Sequence, residues 1–274
     1  VSAQLQHPSI IPVHAFGQLP DGRPYFTMKE VQGRTMREAI LAFHADIDLD
    51  PEDLRVKIGL RRLMEAFRRV CEAMGYAHEQ GFVHRDLKPD NLMVGSWGEV
   101  LVVDWGLSIC IDGTQSEFPG IPDALEGTAL YMAPELASDP GRCADFSTDV
   151  YSLGAILYAI LCGKAPYLGS AQEVLSAIQQ GPPPPPQRER YTPPESLVHI
   201  CLTAMARLPE DRYPDAGVLA AEVAAWLEEA VGADRAVQAL SQAEEMGLLV
   251  EKLRTSAREL RDQAQRMLSA LPGH

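Results

Sequence analysis

The sequence is poor in positive charge. It holds 24 lysines and arginines against 38 aspartates and glutamates, a formal net charge of -14 over 274 residues. A duplex DNA binder or a polybasic membrane binder is basic, so the deficit argues against both. An acidic chain also repels phosphate at long range. If it takes a nucleotide, local geometry and metal ions must do the holding. Cysteine is scarce too. Cys71, Cys110, Cys143, Cys162 and Cys201 are odd in number, and none stands in a C-x-x-C pair. That excludes a disulfide framework and a zinc site. Scattered reduced thiols point to a cytoplasmic protein. Long apolar runs are missing: the longest, from Tyr151 to Cys162, is too short to span a bilayer. No signal peptide opens the chain. Because Val1 is not Met, the natural chain is expected to start further upstream, and a membrane anchor elsewhere in a longer parent stays open. What is present, 46% hydrophobic and 23% charged residues, is ordinary for a globular protein with one large domain or two small ones.

Ile10 to Phe16 and Tyr25 to Val31 read as two strands joined by a turn at Pro20-Asp21-Gly22. His7 and His14 read as polar residues at strand edges. Thr35-x-x-Glu38 forms a capping box, so a helix starts there. Asp53 to Gln80 carries apolar residues at spacings of three and four (Leu60, Leu63, Met64, Phe67, Val70, Met74), which predicts a long amphipathic helix closed by Gly81. Leu92 to Val94 and Val100 to Val103 read as a hairpin through Gly95-Ser96-Trp97-Gly98. Asp112 to Gly127 lacks periodicity and reads as a loop. Beyond Asp149 the pattern is mostly helical. Pro182 to Pro186 is a stiff extended connector. In the tail, Leu253, Ala257, Leu260, Ala264, Met267 and Leu271 recur at heptad period. Two uses fit that seam: pairing with a second copy, or packing back on the domain.

The residues that carry chemistry are His84-Arg85-Asp86-Leu87-Lys88-Pro89-Asp90-Asn91, followed by Asp104-Trp105-Gly106, Gly127-Thr128 and Ala133-Pro134-Glu135. Asp86 and Lys88 are two apart, so in an extended loop they project the same way. A carboxylate there can accept a proton while the ammonium offsets developing negative charge. Asn91 and Asp104 flank the predicted hairpin, which should bring them together. One carboxylate and one amide oxygen suit Mg²⁺, a cation that takes few protein ligands. The pattern points to metal-assisted phosphoryl transfer.

This run resembles the catalytic loop of protein kinases, with the metal-binding D-F-G and the A-P-E motif behind it. Lys88, two residues after the aspartate, is similar to the serine/threonine class. The likeness covers about residues 1–227 and, in its style, is similar to bacterial serine/threonine kinases. It implies an α+β, two-lobed fold with a remnant N-lobe and hinge at 1–36, a helical C-lobe at 37–227 and a helical extension at 228–274. It implies transfer of the ATP γ-phosphate to Ser or Thr hydroxyls of protein substrates. Asp86 would be the base, Lys88 would contact the γ-phosphate, and Asn91 and Asp104 would hold Mg²⁺. Thr128 would bridge Asp86 and Lys88. Asp149 would brace the catalytic-loop backbone, and Glu135 would pair with Arg212. Met28 would be the gatekeeper, with the Lys29 carbonyl and Val31 amide on adenine and Met93 beneath it. His84 would be a packed structural histidine.

The sequence departs from that pattern in three places. No G-x-G-x-x-G precedes Asp86, and none of Lys29, Lys57, Lys88, Lys164 and Lys252 lies in a V-A-x-K strand. The likeness therefore implies a piece of a longer kinase that transfers weakly alone, or a non-catalytic scaffold acting through its C-lobe and tail. Trp105 replaces the Phe of D-F-G and brings an N–H that needs a partner. Thr114 and Ser116 are the phosphorylation candidates of the following segment. Asp90 and the acidic stretch Asp46, Asp48, Asp50, Glu52 and Asp53 suggest a preference for basic substrates.

Overall fold

A computed structural model describes residues 5–111, 129–138 and 143–269. Residues 1–227 form one compact unit and 228–274 a second. In the first, β1 (Val13–Gln18) pairs antiparallel with β2 (Pro24–Met28) as a two-stranded sheet. Gly22, at φ 88°, closes the turn, where a left-handed residue is needed. The strands are shifted from the sequence expectation. Ile10 and Ile11 are buried and belong instead to β6 (Val100–Val102). Ile11 N–H donates to the Val102 carbonyl (3.3 Å), and Val102 N–H donates to that of Ser9 (2.8 Å). Burial against a distant strand outweighs pairing with a near one here. His7 is also not an edge residue: it is half-buried and stacks on Tyr76 at 5.4 Å.

A two-residue strand, β3 (Arg34–Thr35), joins β5 (Leu92–Val94) and β6 in a three-stranded sheet. Thr35 caps α1 (Met36–Leu49) with the predicted box: Glu38 N–H donates to Thr35 Oγ1, and Thr35 N–H donates to the Glu38 carboxylate. The periodic segment becomes α2 (Leu54–Glu79), and each apolar residue named for it is buried. Beyond α2 come β4 (Phe82–Val83) and its partner β7 (Ile109–Cys110).

The remaining elements are helical, as the sequence pattern predicts. They are α3 (Pro134–Ser138), α4 (Phe146–Cys162), α5 (Ala171–Gln180), α6 (Glu195–Ala204) and α7 (Ala216–Ser269). Every residue of α4 from Thr148 to Cys162 is buried. A helix apolar on all sides is a core element, and α2, α4 and α6 pack the main core around it. In the proline run, Pro183 and Pro186 are buried while Pro182, Pro184 and Pro185 are exposed. Three residues per turn put 183 and 186 on one ridge, so the connector seats on the domain as a stiff spacer. Ala216, Leu219, Ala220 and Val223 anchor the start of α7 in the first unit. In the second unit, Met246, Leu249, Val250, Leu253 and Leu260 are exposed.

Gly154 lies where α4 crosses α6. A Cβ there would meet Met205 Cγ at 2.7 Å and Ala204 Cβ at 2.8 Å. Overpacking of this kind costs about 1–3 kcal/mol. Gly232, inside α7, has nothing within 4 Å of the same atom, and Gly to Ala in an open helix gains about 0.5–1 kcal/mol. Urea unfolding should show Gly154→Ala less stable and Gly232→Ala equal to or more stable than the parent. Equal losses in both would mean that the crossing has room.

Candidate active site

The site starts where α2 stops. Gly81, at φ 80°, ends the helix, and β4 leads into residues 84–88. Arg85 sits at φ 71°, in the left-handed region that a non-glycine residue enters at a cost of roughly 1–3 kcal/mol. Asp149, in the first turn of α4 and 0% exposed, holds the loop there. Its carboxylate accepts from His84 N–H (2.7 Å), Arg85 N–H (2.9 Å) and His78 Nε2 (3.1 Å). His78 Nδ1 accepts from Ala216 N–H at 3.3 Å. Because Nδ1 accepts a hydrogen bond, the network places the ring hydrogen on Nε2. The sequence pattern did not single out His78. Its one signal was a basic residue in the last turn of a long helix.

His84 is fully buried. Its Nε2 lies 3.2 Å from the Val103 carbonyl, and its Nδ1 accepts from Asp86 N–H at 3.3 Å. Burial pushes its pKa down, against the opposing pull of the Asp149, Asp86 and Asp104 charges. A neutral, doubly committed ring is a packed spacer. The Trp105 ring lies 4.6 Å from it, and Trp105 Nε1 donates to the Val102 carbonyl (3.2 Å). The extra N–H of the tryptophan thus has its partner.

Asp86 is 6% exposed. Lys88 Nζ donates to both its oxygens, at 3.0 and 2.8 Å. Asn91 Nδ2 donates to Asp86 Oδ2 (2.9 Å) and to the Asp86 carbonyl (2.8 Å). A 3-10 turn over Pro89–Asn91 supplies that approach. The hairpin then returns, and Val103 N–H donates to the Asn91 carbonyl at 3.0 Å. Asp104 follows at once, exposed and at φ 64°, a conformation that aspartate tolerates better than most residues. The expected meeting of Asn91 with Asp104 is therefore a backbone link one residue short, and the Asn91 amide turns first to Asp86.

The fit to Mg²⁺ rests on that amide. Its nitrogen is committed to Asp86, so its oxygen is the atom left for another partner. Asp104 supplies the exposed carboxylate. Among the described residues no three of His, Cys, Asp and Glu cluster as a metal site.

Lys29, Val31 and Met93 line one cavity of about 380 Å³, with Glu30, Glu99 and Leu101 around them. Met28 is not in its wall. It is 46% exposed on β2, whose sheet has two strands. Thr128, Thr114 and Ser116 lie outside the described residues. Further off, Arg212 grips Glu135 at 2.6 and 2.8 Å, donates to the Ser147, Ala206 and Arg207 carbonyls, and lies 5.0 Å over the Tyr151 ring. That cluster is structural.

Comparison with known proteins identifies the family. The family model described as protein kinase domain matches residues 1–268. The chain is 38% identical over 182 residues to the serine/threonine-protein kinase PknD of Protochlamydia amoebophila, covering 61% of this chain and 18% of that protein. It is 33% identical over 227 residues to PknB of Mycolicibacterium smegmatis, covering 81% and 34%. Against PknD of Chlamydia caviae it is 32% identical over 239 residues, covering 81% and 25%. The chain thus spans about a fifth to a third of the length of these curated relatives.

Burial sets a pH limit on the fold. His84 and His44 both have pKa values held below the ordinary 6.5, with desolvation as the first cause. Unfolding releases both to that ordinary value, so the unfolded chain binds more protons below it. The stability from their neutral forms is complete above about pH 6.5 and falls as pH drops through the folded values, by up to about 1.4 kcal/mol per pH unit for each. The urea midpoint should drop between pH 7.5 and 5.5. A midpoint that stays level or rises would show that neither ring is held neutral by the fold.

Proposed function

We propose that this chain, which belongs to the protein kinase family, carries the transfer site of a serine/threonine kinase that moves the γ-phosphate of ATP to protein hydroxyls. The observation that carries this reading is the Asp86 carboxylate, fixed between Lys88 and Asn91 on a loop pinned by Asp149. The relatives' printed names support the serine/threonine class.

The roles follow from position. Asp86, oriented by two nitrogen donors, accepts the proton of the attacking hydroxyl. Lys88, on a flexible stem, shifts its ammonium from Asp86 to the transferred phosphoryl group. Asn91 and Asp104 hold Mg²⁺, which neutralises phosphate charge when bound. The Lys29 carbonyl and Val31 amide meet adenine, with Met93 against the ring. Residues 1–36 act as N-lobe remnant and hinge, 37–227 as C-lobe and 228–274 as extension. Protein substrates and ATP are its partners, nucleic acid is not, and the domain works in the cytoplasm. Among the described residues no helix is long and apolar enough to cross a membrane.

A second reading is a non-catalytic scaffold that acts through its C-lobe and tail. Radiolabelled Mg-ATP and a general protein substrate separate the two readings. The kinase reading expects slow transfer that falls at least about 100-fold in Asp86→Asn. No transfer by the parent, or equal transfer by both, supports the scaffold.

The extension is assigned to pairing of two copies. Met246, Val250, Leu253, Ala257 and Leu260 are exposed at spacings of 4, 3, 4 and 3, the seam of a two-stranded coiled coil. Sedimentation equilibrium should give a dimer for the parent and a monomer for Leu253→Lys with Leu260→Lys. A monomeric parent at tens of micromolar would end this assignment.

A further inference from the structure

Asp90 stands in the 3-10 turn between Lys88 and Asn91, and the charge of Lys88 is felt at its carboxylate. On spacing alone it is a free acid beside the transfer site. In the structure it is taken. Arg37, in the first turn of α1, meets it with two parallel hydrogen bonds: Nε to Oδ1 at 2.7 Å and Nη2 to Oδ2 at 2.8 Å. The partners are 53 residues apart, so the pair is tertiary. They are 44% and 42% exposed, so it faces solvent at the rim where a substrate segment would arrive. Fork-to-fork geometry uses both carboxylate oxygens. The mutual hold pushes the Asp90 pKa down and that of Arg37 up.

Much of the acidic stretch 46–53 is also engaged. Asp48 accepts from Arg188 Nη2 at 2.5 Å, and its carbonyl accepts from Arg190. Asp53 accepts from Arg55 at 2.7 Å and caps α2. Asp50 Oδ1 accepts from Glu52 N–H at 3.1 Å. The acids that suggested a basic substrate largely have partners within the chain.

We propose that Arg37 is a specificity-determining residue: it covers Asp90 beside the Asp86–Lys88 pair and keeps that carboxylate from a basic substrate side chain. Resting on the kinase reading, this assigns the chain to hydroxyl-bearing segments that are neutral around the acceptor. An incoming arginine would have to displace an intramolecular fork that is already in place, and that competition cancels its gain. Removing Arg37 should unmask Asp90.

The test reads binding. Two labelled serine peptides, identical except that one carries arginines where the other carries glutamines, are titrated against the full chain by fluorescence anisotropy. The variants are Arg37→Gln, which keeps helix propensity and stem length, and Arg37→Gln with Asp90→Asn, which restores the parent's net charge. Circular dichroism melts check that each is folded. The preference for the arginine peptide should rise roughly two- to fivefold in Arg37→Gln, the range of an exposed ion pair, and return to the parent's value in the double variant. A purely structural pair would lower the melting temperature and leave the ratio alone, which would overturn the proposal. A rise that persists in the double variant would also overturn it, since the gain would then come from neither Asp90 nor net charge. So would binding of neither peptide by any variant. Transfer is read separately through Asp86→Asn, so loss of this inference and loss of the kinase reading give different results.

Discussion

Everything at the site depends on where the Asp149 carboxylate can go. It is fully buried, and a buried charge is tolerated only when its oxygens are paired. Three N–H groups satisfy it, and two of them belong to the backbone of His84 and Arg85. Satisfying the charge therefore dictates the path of the loop. It holds Arg85 in a conformation that the chain would otherwise avoid, and it places Asp86 next in line. Position in α4 helps, since a carboxylate in the first turn of a helix lies at the positive end of its dipole. The third donor, His78, reaches back through Ala216 to the start of α7. One carboxylate thus joins α2, α4, α7 and the loop.

From that anchor the rest follows by short steps. Once the 84–86 backbone is set, Leu87 is buried and Lys88 falls back over Asp86. The 3-10 turn brings Asn91 under the same carboxylate, and the hairpin ties Asn91 to Val103. His84 fills the space beneath and fixes the spacing to Trp105. No long side chain has to find its partner by chance. Each is delivered by backbone already fixed by the previous contact, which is how a site keeps its geometry without a ligand.

Local rules made much of this legible. Capping at Thr35, the 3.6-residue period of 53–80, the hairpin and the 84–91 motif are short-range signals, and α2 with its buried face lies where they predict it. What spacing could not show were pairs made across the fold. Arg37 with Asp90, His78 with Asp149, and Ile10 and Ile11 with Val102 are set by tertiary packing, and a period of two or 3.6 carries no trace of them. The same limit explains the strand shift at Ile10: alternation marks a strand but not its neighbour. Met28 differs for another reason. A gatekeeper needs a wall on both sides, and a two-stranded sheet leaves Met28 exposed.

The charge balance gives the last step. A chain of net charge -14 offers a polyphosphate no long-range welcome, so attraction must be made within a few ångströms. Yet two cations at the loop are already engaged: Lys88 on Asp86 and Arg37 on Asp90. These two pairs are not equivalent. Lys88 is held by a carboxylate two residues away through a four-carbon stem, so its ammonium can turn to a new anion without moving the backbone. Arg37 is held by a planar fork across 53 residues, and leaving it would disturb the contact between α1 and the loop. On the proposed reading, the flexible cation serves the phosphate and the rigid one shapes the rim. An acidic protein can then bind an anion at one point and stay indifferent to basic chains beside it.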